Sequence, residues 1–110
     1  MINRNNLPNR REIETFEFEH NGMIYVASVS YFIASNRRRR LAEVFLDAGK
    51  IGSQTQMIAR DAAVQASIAL QYSVPADELA RSLCKIEDAD GNFISAGPLG
   101  KVFEICNSKK

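Results

Sequence analysis

Tryptophan is missing from this 110-residue chain, and histidine, cysteine and proline are scarce at one, two and three copies. The two cysteines, Cys84 and Cys106, make no disulfide framework, and with no C-x-x-C and a single histidine they offer no zinc-binding spacing. His20 stands without a Ser, Cys or Asp constellation, so it anchors neither a catalytic triad nor a metal centre. No sign of charge dominates: fourteen Lys and Arg oppose thirteen Asp and Glu, for a net charge of +1. No overall field therefore draws the chain to nucleic acid or to a membrane, and any such role has to come from local clustering. No apolar run approaches the ~18 residues that a membrane span requires. Residues 1–11 are rich in Asn and Arg and lack the apolar centre of a secretory signal. The expectation is a cytoplasmic protein with no cofactor and no metal, and with no catalytic residues of its own.

What is present reads as one globular domain. Hydrophobic residues make up 45% and charged residues 25% of the chain, ordinary values for a folded domain, and the length allows a core without disulfides or a structural metal. Residues 1–11 read as a flexible arm, 12–106 as the domain and 107–110 as a tail. The strongest local signal is Asn21-Gly22, flanked by alternating segments at 13–20 and 23–32. That dipeptide tolerates the positive φ angles of a two-residue hairpin turn. The turn fixes the register, so Phe18 faces Tyr25 and Phe16 faces Ala27. One sheet face then carries Phe16, Phe18, Tyr25, Ala27, Val29 and Tyr31, and the other Thr15, Glu17, Glu19, Ile24, Val26 and Ser28.

A third strand is predicted at 40–46, with Ala42, Val44 and Leu46 toward the core. Leu41 and Phe45 would then join Ile24 and Val26 on the second face, leaving it partly apolar and in need of cover from the C-terminal segment or a second copy. Ser53 with Gln56 matches a capping box, and a helix follows over 54–72 with a mostly small stripe of Ala59, Ala62, Ala63, Ala66, Ala69 and Leu70. Pro75 suits the first turn of a second helix to about residue 83. Asp90-Gly91 marks a turn, and Gly97-Pro98 opens a last helix over 99–106. Cys84 and Cys106 fall at apolar positions and are expected to be buried thiols. The fold class is α+β: a small antiparallel sheet of about three strands on one long central helix, with two shorter C-terminal helices.

The order of these features resembles the TSCPD domain. The similarity spans about residues 12–106 and is carried by ETFEFEHNG, by Tyr25-Val26, by LAEVFLDAGKIGS, by the helix ending ASIALQYSVPADEL and by the closing GPLG. In that family the domain usually stands at the C-terminal end of cobalamin-dependent ribonucleotide reductases, with short stand-alone versions also known. The resemblance implies a context of nucleotide reduction, with a ribonucleotide reductase or a nucleotide as partner. It does not imply reductase activity. That chemistry needs a large barrel with a radical-forming cysteine and a redox cysteine pair, and these have no counterpart here.

Two segments are candidate sites. In Gly49, Lys50, Gly52 and Ser53, glycines ahead of a helix N-terminus expose N–H groups, and Lys50 with the Ser53 hydroxyl could complete a phosphate cradle. The plainer reading is a strand-to-helix turn in which Ser53 caps the helix. Arg37, Arg38, Arg39 and Arg40, at the tip and exit of the second hairpin, could bind nucleic-acid phosphates. Against that stand the balanced total charge and the lack of exposed aromatics beside the arginines, and the plainer reading is a solvated loop. Glu14, Glu17 and Glu19 read as solubilising strand positions, and Arg60 with Asp61 as a helix flank. The leading function is a non-catalytic interaction or regulatory module, a homo-oligomer such as a dimer. The alternative is a nucleic-acid binder working through the arginine tip.

Overall fold

The computed structural model describes residues 4, 12–33, 38–48 and 52–108. Apart from Arg4, the expected N-terminal arm lies outside them. Three strands, β1 (Glu12–His20), β2 (Met23–Ile33) and β3 (Arg39–Ala48), form an antiparallel meander in the order β1-β2-β3. Three helices follow, α1 (Gln54–Gln71), α2 (Ala76–Ser82) and α3 (Pro98–Ser108). A short hairpin of β4 (Lys85–Glu87) and β5 (Phe93–Ser95) separates α2 from α3. The architecture is the expected α+β arrangement with one long helix and two shorter ones.

The first hairpin turns through Asn21 at φ 52° and Gly22 at φ 78°, the left-handed pair that a two-residue turn needs to match strand twist. The register follows, with Phe18 opposite Tyr25 and Phe16 opposite Ala27. The inner face buries Tyr25, Ala27, Val29 and Tyr31 against α1 and α3, with Phe16 and Phe18 packed at its margin.

The third strand is longer than expected at both ends, and it corrects one facing assignment. A register shift between Ser30 and Tyr31 sets Glu43 against Ser30 but Leu41 against Tyr31. Ala42 is the extra residue, a β-bulge that reverses the alternation beyond it. Leu41 therefore turns inward to 6% exposure, while Phe45, on the regular side of the bulge, stays outside at 55%. The small hairpin was also missed: only its Asp90-Gly91 turn was legible. Cys84 is exposed rather than buried, because α2 ends at Ser82 and leaves it between helix and strand. Cys106 is half-buried in α3, which continues to Ser108, two residues into the expected tail.

The long helix is fastened at both ends. At its start the Ser53 side chain accepts from the Gln56 N–H at 3.1 Å, and the Gln56 side chain accepts from the Gly52 N–H at 2.6 Å. This is the capping box read from the sequence, with the return bond taken from Gly52, one residue before the Ser53 N-cap. At its end the Val74 N–H donates to the Ala69 carbonyl and the Ser73 N–H to the Leu70 carbonyl, a Schellman closure. Its left-handed position is held by Ser73 at φ 74°, where a Cβ is strained. Ser73→Gly is expected to raise the unfolding free energy by about 1 kcal/mol, measured by urea denaturation.

Candidate functional site

The two candidate segments differ in what the structure does with their charge. Arg37 lies outside the described residues. Arg38 is exposed. Arg39, at the start of β3, meets Glu14 at 3.0 Å and Glu12, and stacks its guanidinium 4.2 Å from the centre of the Tyr31 ring. The hydrogen bond to Glu14 is the first cause holding the Arg39 guanidinium above its ordinary pKa, with Glu12 adding to it against partial burial. Glu14 is accordingly no free solubilising group: it shares the inner face with Phe16 and Phe18 and pairs across the sheet end.

Arg40 turns the other way. Its guanidinium lies 4.7 Å from the Phe32 ring centre, and it donates to the Leu70 carbonyl at 3.1 Å, at the negative end of the α1 dipole. Arg39 and Arg40 thus both direct donors to other groups of the chain. Each of these two stacks on an aromatic that is not itself exposed, Arg39 on the buried Tyr31 and Arg40 on the half-buried Phe32.

In the phosphate candidate, Gly49 and Lys50 lie outside the described residues. Gly52 and Ser53 are both engaged in the capping box. The carboxylate of Asp47 stands over the same helix start, accepting from the Gln56 side chain at 3.3 Å and pairing with Arg60 at 3.5 Å. Arg60 is therefore an intrachain partner, and the acidic group beside the helix start opposes an incoming anion.

Elsewhere the titratable groups serve structure. The Tyr31 hydroxyl is pushed above its usual range by burial, with Cys106 beside it adding to the effect. Burial raises the Glu104 carboxyl, but donation from the Ser95 hydroxyl and N–H and from Lys101 outweighs it and leaves it below the usual carboxylate range. His20 lies 3.0 Å from the Ala96 carbonyl through Nε2 and ties the first hairpin to the C-terminal segment. Among the described residues no group of three or more His, Cys, Asp or Glu is placed to hold a metal ion, and no helix is long and apolar enough to cross a membrane.

What remains uncommitted is the outer sheet face. Strand alternation places Ile13, Thr15, Glu17 and Glu19 there from β1, Ile24, Val26 and Ser28 from β2, and Phe45 from β3. Ile13, Ile24, Val26 and Phe45 are 58%, 49%, 39% and 55% exposed. Of the two covers expected for this face, the C-terminal segment goes elsewhere: Leu99, Val102 and Phe103 of α3 join the inner core with Tyr25 and Val29.

No protein-family model, no curated protein and no solved structure matches the chain.

Proposed function

We propose that this chain is a non-catalytic interaction module related to the TSCPD domain, associated with ribonucleotide reduction, and assembled as a homodimer through its outer sheet face. The observation that carries the assembly is the exposed set of Ile13, Ile24, Val26 and Phe45 on a sheet whose other face is filled by α1 and α3. Sheets bury such faces by stacking about 10 Å apart, side chains interdigitating. Thr15 and Ser28 satisfy each other at 2.9 Å in the same face, and Ser30 donates to Glu43 at 3.0 Å. These mutual bonds lower the cost of losing water from the polar part of the patch.

Size-exclusion chromatography with light scattering at ~100 μM, well above the Kd of a micromolar dimer, tests the assembly. Wild type is expected to run as a dimer and Phe45→Glu as a monomer with an unchanged fold, because Phe45 is more than half exposed and contributes little to the core. A wild-type monomer at that concentration would sink the dimer. The reductase connection rests on the motif order alone and has its own test: calorimetric titration of the chain into a cobalamin-dependent ribonucleotide reductase lacking its C-terminal domain. Saturable binding supports it, and absence of heat and of co-elution overturns it.

A further inference from the structure

Opposite the outer face, a cleft of about 360 Å³ opens between α1 and the C-terminal segment. Leu46, Ala59 and Tyr25, 2%, 3% and 5% exposed, are buried residues of its lining. Ile58 and Ala62 of α1 form one wall, and Leu83, Cys84 and the opening of α3 the other. Small residues keep it open, Ala59 and Ala62 on the helix side and Gly97 on the other. The second wall is held in place from behind. A Cβ on Gly100 would lie 2.7 Å from the Ser95 hydroxyl, and that hydroxyl donates to Glu104 at 2.7 Å.

The lining decides what fits. Among the described residues of its lining none is Asp, Glu, Lys, Arg or His, and their side-chain polar groups are the Thr55 hydroxyl, the Tyr25 phenol and the Cys84 thiol. A nucleotide or free phosphate would leave water for described walls that carry no cationic side chain, which is unfavourable. A flat sheet face from a second copy cannot enter a concavity. The volume is at the lower end of the ~300–1,000 Å³ of small-molecule sites, which share this pattern of apolar walls with a few polar groups. We propose that this cleft binds a small, uncharged, largely apolar molecule, an aromatic ring system or short acyl compound with a hydrogen-bonding group. The site is independent of the dimer.

The test uses N-phenyl-1-naphthylamine, a neutral fluorescent probe, on the whole chain. Saturable binding of one probe per chain is expected. At about ten times its Kd the probe slows alkylation of the exposed Cys84 by iodoacetamide about tenfold, with Cys106 as the internal reference. Ala62→Phe fills the cleft and Ile58→Trp obstructs it from an exposed position that leaves folding intact, and each weakens binding by at least about tenfold. Naphthyl phosphate binds at least about tenfold more weakly than the neutral probe. The proposal is overturned by any of three results: no saturable binding to the folded protein, binding that survives Ile58→Trp, or equal affinity for the phosphate. Loss of the probe in Phe45→Glu alone would move the site to the outer sheet face and overturn it as well. If only an apolar peptide protects Cys84, the occupant is a partner's side chain and the small-molecule assignment fails.

Discussion

Leu70→Ala lowers the unfolding free energy by about 3 kcal/mol, within the range for truncating a fully buried leucine whose surroundings relax only in part. Leu70 is 0% exposed and sits in the single core cluster between the sheet and α1. The loss is a large share of the about 5–15 kcal/mol that holds a domain together. Urea denaturation is the measurement: the midpoint falls and the slope stays constant. Val64→Ala, on the exposed side of the same helix at 49%, should shift stability by less than about 0.5 kcal/mol. If the two variants denature together, α1 does not pack on the sheet as described.

The contrast between those two positions shows what one sequence can reveal. Register in the first hairpin was legible because Asn21-Gly22 admits only a short left-handed turn, and a two-residue turn leaves no freedom in which side chains oppose. Leu41 was not legible, because a bulge inserts one residue without any local signature and reverses every facing beyond it. Strands β4 and β5 are three residues each, too short for alternation to stand out from a charged loop. Cys84 was misplaced because α2 ends at Ser82, about one residue before the expected end, and Cys84 falls in the connection to β4 rather than on a helix face.

For the candidate surfaces the division is similar. Alternation alone put Ile24, Val26 and Phe45 on one face. The destinations of the arginines were hidden, since whether Arg39 finds Glu12 and Glu14 depends on strands brought together across 25 or more positions. An arginine run is ambiguous in sequence for that reason. Its composition is the same whether the charge meets phosphate or is neutralised within the fold.

Ser67→Ala is expected to cost about 2–3 kcal/mol, far beyond the loss of one surface hydroxyl, because it strands two buried backbone groups at once. β3 is an edge strand, and an open edge is a template for pairing with other chains. Here side chains from α1 close it. The Ser67 hydroxyl accepts from the Val44 N–H at 2.8 Å and donates to the Val44 carbonyl at 3.0 Å. One turn on, Gln71 donates to the Ala42 carbonyl at 3.2 Å and accepts from Arg4 at 2.6 Å.

Both residues interrupt the alanine stripe at i and i+4, the signal that a search for apolar periodicity passes over. Alanine's better helix propensity returns only about 0.5 kcal/mol of the loss. Hydrogen exchange separates the explanations: the Val44 amide should lose protection in Ser67→Ala while amides in the first hairpin keep theirs. Ser67→Thr, which retains the hydroxyl, should keep most of the protection. If Ser67→Ala leaves Val44 protected, the helix does not seal this edge. A Ser67→Ala variant with Val44 unprotected should also aggregate at the open strand under conditions where wild type does not. A sealed β3 edge removes one of the sheet's two edges, β1 being the other, as a template for strand addition between copies of this chain.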